Sequence, residues 1–537
     1  MKIYKYLLIT IAPLFLQCSS TGEPSEKPNI ILILADDMGY SDLGCTGAEI
    51  PTPNLDRLAA NGMMMPNFYN AARCCPTRAS LITGLYPHQA GMGDMVEGRL
   101  WNDSTFIESY QGWLKEDAIT LAEALQEEGY HNLFSGKWHI GNEEPNWPDN
   151  RGFDRTFAML HGASNFFNME PWINENQFMR LHLDGEIYEP GDDFYMTNAI
   201  TNHALDFIQH SDEHKPFFLY IAYTAPHWPL HALPEDIEKF RGQYMQGWHQ
   251  IRNNRFAKMK KSGLLPADAK ISPEHFSNPA TTPLWDTLSQ QDKKTWDLRM
   301  AVYAAQMYRM DQGIGQLIDY LEKNGKLNNT IIMFLSDNGA TKAGIYQATN
   351  WVANRSGPIG SENSFDSYGA RWANMSNVPY RLFKHWTAEG GIKTPFIMHW
   401  PDKIKPNTVI KNYGHIIDIM PTCLIASGAS TEKIAHYKLE GSDLLEPQFK
   451  NDTSRAVFWE HQGNWAVRKG SWKLLYVNYK NKPLNASLYN LSSDPTELQD
   501  IKDDYPDKAR ELQELYKQWS EYVGVAPFDS LILARPI

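Results

Sequence analysis

Cysteine is scarce in this chain: there are five in 537 residues, at positions 18, 45, 74, 75 and 423. Scattered and odd in number, they exclude a disulfide framework, so stability has to come from a buried apolar core. Positive charge is also in deficit. A formal net charge of −13 excludes a nucleic-acid binder, because phosphate backbones are held by basic surfaces. It leaves room for a small anionic substrate at a locally cationic site. Beyond the N-terminus no apolar run is long enough to cross a bilayer, and there is no internal repeat or low-complexity tract.

The N-terminus reads as an export signal. Lys2 and Lys5 supply the positive region, and Leu7 to Leu16 form a short apolar run. The run stops at Cys18, followed by Ser19, Ser20 and Thr21. That ending resembles a bacterial lipoprotein signal with Cys18 as the lipidated residue, although Phe15 and Gln17 depart from the usual pattern. The expected location is therefore exported, in the periplasm or anchored to the outer membrane of a bacterium. Residues 1–18 are the signal and 19–27 a linker. The full sequence is 42% apolar and carries 17 Trp and 26 Tyr, enough for a sizeable core and compatible with a carbohydrate ligand.

Periodicity predicts an α/β fold with a large, mixed, mostly parallel sheet flanked by helices over residues 28–440. Ile30–Ala35, Phe217–Tyr223 and Thr330–Leu335 are continuous apolar runs, as in strands buried on both faces. Thr52-Pro53 and Thr120 read as helix starts, and a long helical pattern spans Lys293–Glu322. A last helix is expected around Ile416–Gly428. After about residue 440 the text changes. Ala456–Glu460, Trp465–Arg468 and Trp472–Val477 are short alternating runs, and Lys508–Tyr522 is amphipathic. These predict a C-terminal subdomain, 441–537, with a short antiparallel sheet and a helix.

Two strand ends carry hard oxygen donors, Asp36-Asp37 and Asp337-Asn338. In an open α/β sheet ligands bind beyond the carboxyl ends of the strands. All-oxygen ligation there suits Ca²⁺ or Mg²⁺ and disfavours zinc. The stretch Cys74-Cys75-Pro76-Thr77-Arg78 running to Thr83-Gly84 is the most informative of all. It is a C-x-P-x-R core, and its register selects Cys74, because counting from Cys75 puts Thr77 and Ala79 where Pro and Arg belong. Pro76 places Cys74 at a helix N-terminus, where free N–H groups favour an anion. Gly136-Lys137-Trp138-His139, Ala225-Pro226-His227-Trp228-Pro229 and Lys384 through Glu389-Gly390-Gly391 to Pro395 complete the set.

Together these segments resemble the type I, formylglycine-dependent sulfatase family, in its arylsulfatase-type branch, within the alkaline-phosphatase superfamily. The resemblance extends over about residues 28–520. It implies that a maturation enzyme oxidises Cys74 to formylglycine, and that Ca²⁺ (Mg²⁺ being the less favoured choice) is held by Asp36, Asp37, Asp337 and Asn338 together with residue 74. It further implies that Arg78 stabilises the nucleophile, Lys137 and Lys384 grip the sulfate, His139 contacts the formylglycine, and His227 protonates the departing alcohol. Residues 28–440 are then a catalytic sulfatase domain that hydrolyses sulfate monoesters of carbohydrates or aryl alcohols. Two rival readings stand beside it: a phosphodiester or phosphonate ester hydrolase of the same superfamily, and an unmodified glycan-binding lipoprotein. Glu97–Trp113, His161–Phe167 and Trp459–Asn464 are the expected substrate-facing segments.

Overall fold

A computed structural model describes residues 27–528, apart from 97–105, 170–179, 275–281, 344–356 and positions 448, 450, 451, 453, 480, 481 and 484. The expected signal with Cys18, nearly all of the linker and the first part of the Glu97–Trp113 segment lie outside the described residues. Among the described residues no helix is long and apolar enough to cross a membrane.

The central strand is β1 (Asn29–Ala35), in which every residue after Asn29 is buried. Around it lie β2 (Met63–Tyr69), β3 (His131–Lys137), β4 (Arg155–Met159), β5 (Leu181–Leu183), β6 (Glu186–Tyr188), β7 (Phe217–Ala222), β8 (Thr330–Ser336), β9 (Lys393–His399), β10 (Thr408–Val409) and β11 (Gly414–His415). They form one eleven-stranded sheet in the order β10-β2-β9-β8-β1-β7-β3-β4-β5-β6, with β11 beside β2. The run β8-β1-β7-β3-β4 is parallel throughout. Strand β9 is antiparallel to both β2 and β8, and β4-β5-β6 is an antiparallel meander. Successive side chains of a strand point to opposite faces. Ile31, Ile33 and Ala35 therefore join one core layer, while Ile30, Leu32 and Leu34 join the other.

Helices cover both faces. The long one, Gln290–Lys323, starts three residues earlier than the apolar pattern indicates, because the Ser289 hydroxyl caps it by accepting from Asp292 N. Helix Leu121–Gln126 carries the expected Thr120 cap, and Glu123 completes a capping box. Thr52 behaves differently. It stands at the N-cap of helix Pro53–Asn61, but its hydroxyl serves Gly44 N. The orphan N–H groups of that helix donate instead to Asp311, Asn54 N at 3.2 Å and Leu55 N at 2.9 Å. Strand β2 was not legible as a strand. Pro66 interrupts its apolar text, and the pairing with β9 shifts register between Met65 and Phe68.

The C-terminal layer is an antiparallel sheet of β12 (Ala456–His461), β13 (Asn464–Lys469), β14 (Trp472–Tyr476) and the strand Ser487–Asn490. Helix Pro506–Val523 packs Ala509 and Leu512 against Val467, Leu474 and Leu488 on one side of it. A buried ionic cluster ties this sheet to the large one. Lys473 Nζ lies 2.8 Å from Glu389 and 2.7 Å from Glu497, and Tyr69 OH donates to Glu389 at 2.8 Å. Burial alone would raise the Glu389 carboxyl, but Lys473, Lys393 and Arg468 hold it down at about 2.

Removing one partner from such a cluster leaves an uncompensated buried charge. Lys473→Met is expected to lower the unfolding free energy by about 3–5 kcal/mol, read from the urea midpoint. In the unsubstituted protein the Glu389 contribution is complete above its ordinary value of 4.5 and drains away as pH falls towards 2. An acid titration of Lys473→Met should show a flatter loss of stability over that window. An unchanged acid limb would refute the cluster's role.

Candidate active site

All the sequence-selected segments meet at one edge of the sheet. Strands β1, β3, β7 and β8 end there, and each delivers its residues at its last position or in the next few: Asp36 and Asp37, Lys137 and His139, His227, Asp337 and Asn338. Because β9 is antiparallel, its N-terminal end lies at the same edge, so the loop bearing Lys384 arrives there too. Strand β2 brings helix Cys74–Thr83, in which every residue is buried. Cys74 is its first residue, at the N-terminus that the motif predicted.

The contacts are dense. Arg78 donates to Lys137 O at 2.7 Å and to Asp337 Oδ2 at 3.0 Å, with Asp36 Oδ2 at 3.8 Å. Lys137 Nζ donates to Asp36 Oδ2 at 2.6 Å, and Lys384 Nζ to Asp37 Oδ1 at 2.5 Å. Asn338 Nδ2 donates to Asp37 Oδ1 at 2.7 Å, and Asp37 N to Asp337 Oδ1 at 3.1 Å. His227 Nε2 lies 3.4 Å from Asp37 Oδ2, and its Nδ1 meets Trp228 O. Ligand atoms of Asp36, Asp37, Cys74 and His227 all lie within 4.8 Å of one another. His139 is buried on the loop after β3, its ring filling the space over Gly162, where a Cβ would stand 2.4 Å away.

Exposure shows how the site opens. Cys74, Asp36 and Asp37 are 1% exposed and Arg78, Lys137, Asp337 and Asn338 are 0% exposed, whereas His227 and Lys384 reach 6%. The opening therefore lies on the His227–Lys384 side. Burial opposes ionisation of Asp36, yet Lys137 and its neighbours hold that carboxyl far below the usual range. Burial also works against the Lys384 ammonium, but Asp37 outweighs it and lifts the group above the usual lysine value. Burial, reinforced by the charge of Asp36, pushes Asp337 up to about 7. It likewise pushes the Cys74 thiol up, and His227 down to about 4.

The donor set fits a hard divalent cation. The carboxylates of Asp36 and Asp37 lie together beside residue 74, Asp337 and Asn338 are joined to Asp37 by hydrogen bonds, and the buried Asp36 Oδ1, Asp37 Oδ2 and Asn338 Oδ1 accept no hydrogen bond. A buried carboxylate oxygen without a partner is costly unless an ion takes that place.

The loops that hold these groups are unusually constrained. Five of the ten non-glycine residues with positive φ among the described residues belong to site segments: Asp37, Ala72, His139, Leu382 and His385. Such backbone persists where surrounding contacts over-determine it, and it gathers at functional sites. Here His385 N donates to Ala72 O at 2.8 Å, locking the Lys384 loop to the turn before Cys74. The Gly-Gly pair meets the close approach expected of it, since a Cβ on Gly339 would lie 1.8 Å from Gly390 O. One positioning residue escaped sequence reading. Asn377 accepts from Ala340 N at 2.9 Å and donates to Leu382 O at 3.0 Å, tying the Asp337 loop to the Lys384 loop. Only its place before Val378-Pro379 marked it, and that marks a turn rather than a role.

Comparison with known proteins agrees with this geometry. Residues 28–429 match the sulfatase family model, and residues 380–522 match the model for the C-terminal part of N-sulphoglucosamine sulphohydrolase. An uncharacterized sulfatase of Schizosaccharomyces pombe is 35% identical, covering 94% of this chain and 96% of that protein. The arylsulfatase of Klebsiella aerogenes is 36% identical over 76% of this chain and 88% of its own. The crystal structure of Ps i-CgsB in complex with k-i-k-neocarrahexaose superposes with a TM-score of 0.67 at 25% identity, covering 94% of this chain and 99% of that one. The chain therefore belongs to the sulfatase family of the alkaline-phosphatase superfamily, and it is a hydrolase of sulfate esters.

Proposed function

We propose that the substrate is a sulfated carbohydrate and that the nucleophile is formylglycine made from Cys74. The observation that carries the proposal is the placement of Cys74. It lies with Asp36, Asp37 and His227, at a helix N-terminus, inside a ring of three cations. A plain thiol has no use for that setting, because burial holds it protonated. An aldehyde hydrate at the same carbon is a hard oxygen nucleophile suited to sulfur. Since residue 74 is 1% exposed, the maturation enzyme acts on the chain before it folds. Asp36, Asp37, Asp337 and Asn338 would hold the divalent cation, Ca²⁺ in preference to Mg²⁺. Bound there, the cation would neutralise sulfate charge and acidify the nucleophilic hydroxyl.

The chain's own residues do the rest. Lys137 and Lys384, which pair with Asp36 and Asp37, would turn to the sulfate oxygens and offset the charge that repels a nucleophile. Arg78, fixed by Lys137 O and Asp337, orients residue 74 and stabilises its oxyanion. His227 stands at the open side and protonates the leaving alcohol. His139 takes the proton whose removal lets sulfate leave. The N-terminal signal and Cys18 make the protein an exported bacterial lipoprotein on this reading. That location, together with the k-i-k-neocarrahexaose in complex with Ps i-CgsB, supports a glycan substrate over a simple aryl sulfate.

Three outcomes test the reading. Intact-peptide mass spectrometry of protein made with a maturation enzyme should show residue 74 lighter by about 18 Da, and Cys74→Ala should lose about 10⁴-fold or more in kcat. An unmodified, fully active enzyme would refute it. Chelation should lower the melting temperature and Ca²⁺ should restore it, by about 2.7 kcal/mol at a hundredfold excess over Kd; no thermal shift with any divalent ion would remove the cation from the site. His227→Asn should slow alkyl and sugar sulfates by about 10²–10⁴-fold and 4-nitrophenyl sulfate far less, because nitrophenolate leaves without a proton. Equal losses on both substrates would deny His227 the acid's part.

A further inference from the structure

A second concave site lies on the C-terminal layer. A cavity of about 520 Å³ is lined by Glu460, Trp465, Tyr476, Asn478, Tyr516 and Phe528, among others. Its size is in the range of small-ligand sites. Trp465 of β13 pairs across the strands with Tyr476 of β14. The indole is near-parallel to Tyr476, at 5.6 Å and 8°, and to Tyr516, at 4.1 Å and 12°. The three rings are thus fixed in one stack before any ligand arrives, so little side-chain entropy is lost on binding. Glu460 supplies a carboxylate whose side chain is 3% exposed. It accepts from Gly463 N at 2.8 Å and lies 2.8 Å from His88 Nε2 and 3.3 Å from Tyr110 OH. The sulfate chemistry uses none of these groups.

One buried side chain links the cavity's Asn478 to the loop that bears Lys384. Asn464, at the tip of the β12–β13 hairpin, accepts from Asn478 N at 3.0 Å on the cavity side. Its Nδ2 lies 3.5 Å from His385 Nε2 on the other side, and His385 is the residue after Lys384.

The geometry points to a glycan subsite: this cavity takes an uncharged sugar ring of an oligosaccharide whose neighbouring unit carries the scissile sulfate. A pyranose has apolar C–H faces and a rim of hydroxyls. Stacked aromatics match the faces, and Glu460 with Asn478 matches the rim. Among the described residues the lining contains no Lys, Arg or His. A sulfated ring would meet a carboxylate and no cation, so the unit bound here is neutral. The subsite rests on the carbohydrate part of the function proposed above, and it makes the enzyme a reader of chain length as well as of the sulfated residue.

The full-length protein as Cys74→Ala, which binds without turnover, is titrated with a panel of neutral oligosaccharides of two to six units, desulfated from galactan chains and, with uronic acids carboxyl-reduced and amines acetylated, from heparan and chondroitin chains. Tryptophan fluorescence and calorimetry report binding. At least one neutral oligosaccharide is expected to bind. Asn478→Phe, which fills the cavity, and Tyr476→Ala, which opens the stack, should each weaken it at least tenfold, with unchanged circular dichroism. In the active enzyme the same substitutions should lower kcat/KM for a sulfated oligosaccharide relative to its sulfated monosaccharide, through KM. Failure of every panel member to bind overturns the proposal, and so does binding indifferent to both substitutions. If no sulfate ester is hydrolysed yet a neutral oligosaccharide binds here, the sulfatase reading of this chain falls and the subsite stands.

Discussion

The structure depends on packing three carboxylates and three cations into a space that water hardly reaches. Asp36, Asp37 and Asp337 face Arg78, Lys137 and Lys384 within salt-bridge distance. Removing ions from water costs several kcal/mol each, and only close pairing with good geometry offsets that cost. The parallel sheet makes the pairing possible. Four parallel strands end side by side and aim their following residues at one point. The price is a network that is complete only when opposite charges are nearby.

The same logic explains why the C-terminal layer is more than an appendage. Lys473 reaches into the large domain and pairs with Glu389, the first residue of the Glu-Gly-Gly turn. That turn presses against Gly339, beside Asp337 and Asn338. The Lys384 loop is thus held from two directions: by Ala72 O beside the helix that starts at Cys74, and by the small sheet behind it. Buried charge pairs are weak contributors to net stability but strong contributors to a single geometry when one partner cannot leave. Here they fix the position of the lysine assigned to the sulfate.

Strain has a similar distribution. Positive φ at Asp37, Ala72, His139, Leu382 and His385 places side chains where regular strands or turns would not carry them. None of these positions is glycine. Glycine is used instead at Gly339 and Gly390, where two backbones come too close for a Cβ. The division between strained and permissive residues follows the division between groups that act and backbone that must merely pass.

The amino-acid sequence by itself determined the central parallel strands, the oxygen donors at their ends and the choice of Cys74 over Cys75. Continuous apolar runs have no other soluble solution than a sheet covered on both faces, and the spacing of Pro76 and Arg78 admits one register. It did not determine β2 or β9 as sheet members, since a proline and a register shift disguise the first and the antiparallel turn of the second is a matter of topology. It named Lys384 and Glu389 without saying that one meets Asp37 and the other Lys473. The tie through Asn377, the capping of helix Pro53–Asn61 by Asp311, and the aromatic cavity behind Asn464 belong to the tertiary structure alone. Each joins residues far apart in the chain, and no local pattern encodes a contact that exists only after the sheet has closed.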